Sequence, residues 1–294
     1  MASTSTTQNA PIYTKFSDLT EKFDTFIFDC DGVLWTNFQP IGESPKVLNH
    51  LLDLGKQVIF ITNLSKLTRA ELAENLNKIG VNIDYETQMF NSSSISASYI
   101  RMNHPDLHKV YVMGGDGLSR ELNSVGIQAF GSYDDDDKSY DPTKDSVDSL
   151  DLPDDADGVI LAKDPKINSY KLARMMALHR RGAPIFLSGP QPLKDIQKFC
   201  PDDPNGKEIV AMNLTAIAKP NPFGFDLMRI KNTIDPTTSV MVGDMNSDII
   251  FGAKCGMSTY QVLTGDTNKE EFDREVADPN IISPTYWSES MSTQ

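Results

Sequence analysis

Two carboxylates two residues apart, Asp29 and Asp31, close a short apolar run in the stretch Phe26-Ile-Phe-Asp-Cys-Asp-Gly-Val-Leu-Trp35. The run Phe26 to Phe28 reads as a buried strand. In an α/β sheet the carboxyl ends of the strands open onto the crevice where ligands bind. Placing two aspartates there costs desolvation unless a cation or a donor offsets it. Gly32 lets the backbone turn sharply and brings N–H groups close to an anion. A nucleophile, a metal and a phosphoryl group all suit this one loop, although a strand followed by an ordinary Asp-Gly turn has the same composition.

Three further positions repeat the arrangement. The apolar run Val58 to Thr62 ends in a hydroxyl, Lys219-Pro220 precedes a helical stretch, and Ser239-Val-Met-Val-Gly-Asp244 ends in a carboxylate followed by Asp248. If these ends share one edge of a parallel sheet, residues far apart in the chain meet there. Three carboxylates suit Mg²⁺, a hard cation that takes oxygen ligands and keeps several waters. One lysine and one hydroxyl suit the oxygens of a phosphoryl group. Phosphoryl transfer needs a positioned nucleophile, neutralised equatorial oxygens and a proton for the leaving oxygen. Taken singly, Thr62 is as well read as a structural hydroxyl and Lys219 as a surface lysine.

The elements that must position these groups alternate. Helical spacing over 45–54 stops at Gly55, the strand 58–62 follows, and a second amphipathic stretch, 68–79, stops at Gly80. The pattern restarts near Tyr99 with a strand at 109–113 and a helix at 117–124, and continues with strands at 158–162 and 184–188 around a helix at 169–181. A Pro/Gly/Asp-rich segment, 201–206, leads out of this block, and the alternation returns with a helix at 223–234, strands at 239–244 and 259–263, and a helix at 248–254. Strand, helix, strand in this order predicts parallel βαβ units. The expected architecture is an α/β core of 18–98 and 211–294, with a smaller α/β domain of 99–210 inserted and a disordered tail over 1–17. The stretch 134–157 holds eleven aspartates and two lysines and reads as a solvated loop or disordered insert, with an acidic cation-binding loop as the alternative. Its Asp134-Asp-Asp-Asp-Lys138 resembles a known protease recognition sequence, which we read as chance.

The 294 residues and an apolar fraction of 39% suffice for a sizeable core. No run of about 18 apolar residues predicts a membrane span, and the Ser/Thr-rich start lacks the apolar segment of a signal peptide. Three widely spaced cysteines, Cys30, Cys200 and Cys255, suit reduced thiols in a cytoplasmic protein. A net charge of −14 argues against nucleic acid or anionic membranes as partners. An anionic substrate then requires a local positive site.

Asp29-Cys-Asp-Gly-Val, Ile61-Thr62-Asn63, Lys219-Pro220 and Gly243-Asp244-Met-Asn-Ser-Asp248 resemble the four motifs of the haloacid dehalogenase (HAD) superfamily of phosphatases. More narrowly, 18–132 and 158–265 look like the eukaryotic phosphoglycolate, 4-nitrophenyl and pyridoxal phosphate phosphatases, through Val112-Met-Gly-Gly-Asp-Gly-Leu118, Lys219-Pro-Asn-Pro-Phe223 and Val262-Leu-Thr-Gly265. The resemblance implies a Rossmann-like core with an inserted cap that selects substrate. It implies Asp29 as nucleophile forming an aspartyl-phosphate and Asp31 as general acid and base. It further implies Mg²⁺ held by Asp29, the Asp31 carbonyl and Asp244, with Asp248 behind them. Thr62, Asn63 and Lys219 would hold the phosphate, and the amides of Cys30 to Val33 would complete the anion cradle. A small phosphate ester is the expected substrate, and a homodimer through the cap is a further implication. A phosphotransferase or phosphomutase, a protein phosphatase and a catalytically idle phospho-ligand sensor are the alternatives.

The chain departs from the resembling pattern on the substrate side. Leu64 stands where an asparagine is usual, Leu161-Ala162-Lys163-Asp164 replaces a strand end in Gly-Phe/Tyr-Asp, and the segment 188–219 looks shortened. Lys163, Asp164, His179, Arg180 and Arg181 are the cap groups that could read a substrate, although His179-Arg-Arg181 also reads as a solvated helix end before Gly182.

Overall fold

The computed structural model describes residues 10–212 and 214–292. They form two compact units. One comprises the chain through Thr62, Leu72–Phe90 and everything from Phe225 onward; the other comprises Asn63–Glu71 and Asn91–Gly224. In chain order the strands that build the two sheets are β1 (Ile12–Tyr13), β2 (Thr25–Phe28), β3 (Gln57–Thr62), β4 (Met89–Asn91), β5 (Lys109–Met113), β6 (Gln128–Gly131), β7 (Gly158–Leu161), β8 (Ile185–Leu187), β9 (Ser239–Gly243), β10 (Ser258–Val262) and β11 (Tyr286–Ser288).

The first unit is built on a sheet in the order β1-β11-β10-β9-β2-β3-β4, with β9, β2 and β3 parallel. Every residue of β2 and β9 is buried, as expected of parallel strands covered on both faces. Phe28 lies opposite Val242 on one side and Phe60 on the other. Its ring stacks on Phe26 at 6.3 Å and on Phe60 at 6.1 Å, and Phe16 closes over Phe26 at 5.8 Å. Burying each such ring contributes about 1.5–3 kcal/mol. The chain leaves β2 to one side for β3 and later returns on its other side as β9, so the winding reverses between β2 and β9. The crevice beyond the carboxyl ends of those two strands is where such sheets bind ligands.

Two expectations change in this unit. Of the expected tail, 1–9 lies outside the described residues. Residues 12–13 instead pair in parallel with 286–287, and Phe16 is buried, because a short Ile-Tyr edge strand gains its ladder from a partner more than 270 residues away. The sheet also extends past β10, expected as the last strand, to β11, whose three residues are too few to show a period.

The second unit carries a four-stranded parallel sheet in the order β8-β7-β5-β6. Tyr111, Met113, Val159 and Leu161 pack there against Leu172, Met175 and Met176 of the helix Ser169–Arg180. The helix Pro204–Ala211 overlaps the segment 201–206 that reads as the way out of this block, and another helix, Gln191–Phe199, comes just before it; Pro204–Ala211 is the second of the two. Pro204 at the first turn and Asp203, which accepts a hydrogen bond from the Gly206 amide at 2.9 Å, start the second of them. A serine-rich helix, Ser92–Asn103, begins with a reciprocal cap between Asn91 and Ser94. Its buried serines hydrogen-bond backward, Ser92 to the Asn63 carbonyl at 2.9 Å and Ser93 to that of Ser65 at 2.8 Å.

The acidic stretch is not merely a solvated loop. Asp135 is fully buried, accepts hydrogen bonds from Tyr111 at 2.9 Å and Arg174 at 2.7 Å, and is bridged by Lys138 at 2.8 Å. Burial alone would raise its pKa, but the hydrogen bonds from Lys138 and Arg174 outweigh that and hold it below the usual carboxylate range. Lys171, also fully buried, lies between Asp136 at 2.6 Å and Asp164 at 2.7 Å. The basic face of the helix Ser169–Arg180 thus neutralises the start of the acidic run. Charge composition alone does not reveal partners 35 residues apart.

Candidate active site

The C-terminal ends of β2, β3 and β9 carry Asp29, Thr62 and Asp244, the sequence-predicted site residues of the first unit. Asp29 follows β2 directly; its amide donates to the Val242 carbonyl at 2.8 Å, extending the β2–β9 ladder and fixing where the side chain starts. The loop then folds on itself, the Cys30 carbonyl accepting from Val33, Leu34 and Trp35 at 3.3, 2.8 and 3.3 Å. Gly32 turns this loop at φ +82°, a conformation that glycine adopts without strain. Its amide donates to the Trp35 carbonyl at 2.9 Å. The expectation of a cradle made by all the amides from Cys30 to Val33 is therefore too generous, since those of Gly32 and Val33 are spent inside the loop. Asp31 is exposed and accepts from the Trp35 indole at 3.2 Å.

Asp244 follows β9 and is 2% exposed. Its Oδ2 accepts the Asp266 amide at 2.7 Å, and its carbonyl accepts from Gln261 at 3.3 Å. Gly32 and Gly265 flank the carboxylate so closely that a Cβ on either would collide with it. Thr264 locks these two glycine loops together by donating to the Gly32 carbonyl at 2.6 Å. Sequence reasoning missed the parts played by Gln261, Thr264, Gly265 and Asp266. The signal was present in the strand Ser258–Val262, which runs straight into Leu263-Thr264-Gly265-Asp266.

Asp248 lies in the first turn of the helix Asn246–Lys254, and its Oδ2 accepts the Met245 amide at 3.2 Å. A Cβ on Gly243 would strike its side chain, so glycine there lets the helix start close beneath the strand end. Asp29, Asp244 and Asp248 are all buried, and their carboxylate oxygens lie within 4.8 Å of one another. Two unit charges at that separation repel by roughly 3 kcal/mol at an effective dielectric constant of about 20. Three buried carboxylates held this close suit a hard, oxygen-seeking cation such as Mg²⁺. Asp31 is absent from that side-chain group and Asp248 belongs to it, whereas the resemblance implied Asp31, through its carbonyl, as the third ligand with Asp248 behind. Thr62, 2% exposed, ends β3.

The other two expected phosphate ligands belong to the second unit. Ile217 and Ala218 donate to the carbonyls of Leu187 and Ser188, both at 2.8 Å, so this segment runs along β8 and delivers Lys219 at its end. Lys219 thus follows the second sheet, not a strand of the first as expected. It is 2% exposed, and its carbonyl accepts from the Asn63 side chain at 3.1 Å. Among the five cap candidates, Asp164 is buried against Lys171, His179 Nδ1 lies 2.8 Å from the Ala183 carbonyl, Arg180 pairs with Glu208 at 2.6 Å, and Arg181 reaches the Leu152 carbonyl at 3.4 Å. Lys163 is exposed.

Two family models match the chain: a haloacid dehalogenase-like hydrolase over residues 26–128 and a HAD-hydrolase-like model over 216–288. Phosphoglycolate phosphatase 2 of Arabidopsis thaliana is 30% identical over 290 residues, covering 94% of each chain. The p-nitrophenyl phosphatase of Archaeoglobus fulgidus shares the fold with a TM-score of 0.71 at 21% identity, covering 92% of this chain and 97% of that one. A glycerol phosphate phosphatase of Mycobacterium tuberculosis, solved in complex with magnesium, also has a TM-score of 0.71, at 17% identity over 97% of this chain and 77% of its own. With its carboxylates gathered where the first sheet reverses its winding, this chain belongs to the haloacid dehalogenase superfamily of phosphatases.

Proposed function

We propose that the chain hydrolyses small phosphate monoesters through an aspartyl-phosphate on Asp29, with phosphoglycolate the leading substrate. The observation that carries this reading is the buried group Asp29, Asp244 and Asp248 at the reversal between β2 and β9. The Asp29 carboxylate attacks phosphorus, and the bond from phosphorus to the ester oxygen breaks. Asp31, exposed and held by Trp35, gives its proton to the departing alcohol. It then takes a proton from the water that attacks the aspartyl-phosphate, releasing inorganic phosphate and restoring Asp29. Thr62, Asn63 and Lys219 are the phosphate-binding residues. Asp29, Asp244 and the Asp31 carbonyl would hold Mg²⁺, with Asp248 supporting them. When bound, Mg²⁺ supplies charge neutralisation at the phosphoryl oxygens.

Phosphoglycolate leads because a relative covering 94% of the chain carries that name. No helix among the described residues is long and apolar enough to cross a membrane, and the three cysteines, none of them in a disulfide, suit a reducing cytoplasm. A homodimer through the second unit is part of the same reading, and sedimentation tests it. The deciding experiment is phosphate release from a panel of metabolite phosphates with Mg²⁺ and with excess chelator. Release that needs Mg²⁺ and is fastest for phosphoglycolate is expected. Activity that persists in chelator overturns the metal assignment, and binding without release overturns the hydrolase.

A further inference from the structure

A short hairpin follows Asp31. Trp35 lies opposite Pro40 and Thr36 opposite Gln39, so Asn37 and Phe38 form a two-residue turn. Both have positive φ, +51° and +63°. Turns of this kind favour Asn-Gly, because glycine takes the second position without strain. Here phenylalanine stands in the glycine position, and a bulky residue with positive φ is an outlier. Strain of this sort persists only where the surroundings over-determine it.

Phe38 is held by Trp35. The two rings lie 5.4 Å apart between centroids, tilted by 55°, within the range of aromatic attraction. Trp35 is fully buried and tied into the Asp31 loop at both backbone groups. Its amide donates to the Cys30 carbonyl at 3.3 Å, and its carbonyl accepts the Gly32 amide at 2.9 Å. Its indole N–H donates to Asp31 Oδ1 at 3.2 Å. A donor fixed on one oxygen limits the rotation of an exposed carboxyl group. Phe38, Trp35 and Asp31 thus form one line of contacts inside the first unit.

We propose that Trp35 and Phe38 are positioning residues for proton transfer: Phe38 clamps the indole, and the indole aims the Asp31 carboxyl group at the departing ester oxygen. This inference rests on the phosphatase reading above. When the bond from phosphorus to the ester oxygen breaks, its electron pair stays on that oxygen, which takes a proton from Asp31. An alkoxide needs that proton to leave, whereas 2,4-dinitrophenolate is stable without it. A misaimed Asp31 therefore harms one class of ester and spares the other.

The test measures kcat and KM for 2,4-dinitrophenyl phosphate and for the alkyl phosphate that the wild type hydrolyses fastest. Trp35→Phe keeps a ring beside Phe38 and removes the N–H. It should lower kcat/KM for the alkyl ester about 10- to 100-fold, the effect of a slightly misplaced acid. For the dinitrophenyl ester kcat/KM should hold while kcat and KM fall together, because breakdown of the aspartyl-phosphate still needs Asp31 as base. Phe38→Gly eases the backbone and removes the ring, so it should repeat the pattern more weakly, and Phe38→Tyr should keep wild-type rates. Equal losses of kcat/KM for both esters in Trp35→Phe overturn the proposal, since a general loss of structure acts that way. A ratio unchanged in both Trp35→Phe and Phe38→Gly overturns it too, while leaving the phosphatase reading intact. Asp31→Asn should exceed Trp35→Phe in its bias against the alkyl ester; without that bias the proton-transfer role falls, and the proposal with it. A wild type that releases phosphate from neither ester overturns the phosphatase reading and this inference together. Should Trp35→Phe fail to fold, Phe38→Gly against Phe38→Tyr decides the matter in the same way.

Discussion

Each of the two sheets winds outward from a central strand and reverses beside it, yet the two reversals are furnished in opposite ways. In the first unit, three buried carboxylates crowd within 4.8 Å, a gathering of like charge that suits a cation. In the second, acidic and basic side chains lie together: Lys171 between Asp136 and Asp164, and Arg174 beside Asp135. One reversal gathers like charge. The other neutralises charge for structure, and exposes Lys163 at its rim.

The largest expected effect separates these roles. On the proposed mechanism Asp29→Asn removes the attacking charge with little change of shape, so turnover should fall about 10⁴-fold or more. The same change relieves repulsion, so in chelator the thermal midpoint should hold or rise. Substantial turnover by Asp29→Asn would remove the covalent mechanism. Lys171→Met should do the reverse, costing about 3–5 kcal/mol of stability by leaving the buried Asp164 and the partly buried Asp136 without their shared cation. Denaturant unfolding measures this, and adding Asp136→Asn and Asp164→Asn to Lys171→Met should recover most of the loss.

Much of this was legible in the sequence because apolar runs ending in carboxylates are a local signal. The strand Lys109–Met113 is found at its expected bounds, and Asp29 and Asp244 stand at strand ends as expected. What was hidden depends on partners distant in the chain. Serine is a poor helix former, and the helix Ser92–Asn103 gains from its Asn91 cap and from backbone acceptors at 63 and 65. Lys219 was expected on the first sheet because the ladder of Ile217 and Ala218 with 187 and 188 leaves no trace in spacing. Asp135 looked solvated because Arg174 and Tyr111 are remote in sequence.

Glycines sharpen the contrast at a smaller scale. Gly32→Ala forces a side chain into a left-handed conformation and onto Asp244, so a misplaced carboxylate should lower turnover about 100-fold. Gly114→Ala presses on Ala162 and should cost about 1–3 kcal/mol of stability with a smaller change in turnover. Comparing kcat and thermal midpoint for the pair checks this; equal losses of turnover would erase the distinction.

The smallest effect concerns pH. The Arg120 hydrogen bond holds Glu71 down to about 2, from an ordinary 4.5. A carboxylate with a depressed pKa adds stability that is fully present above 4.5 and is lost as pH falls toward 2. The pair is partly exposed, with side chains 43% and 32% accessible, so its worth is about 0–1 kcal/mol and falls with salt. The stability gap between wild type and Arg120→Ala should narrow as pH drops from about 5 to about 2. A gap that widens would reverse the sign.

The anchored start of the acidic run has a practical consequence. Asp134-Asp-Asp-Asp-Lys138 resembles a protease recognition sequence, but Asp135 and Asp136 are engaged with Arg174 and Lys171. A protease that must grip those aspartates can cut after Lys138 only when the segment detaches. Cleavage at this one bond therefore becomes a built-in clock for local opening, its rate following the population of the detached segment.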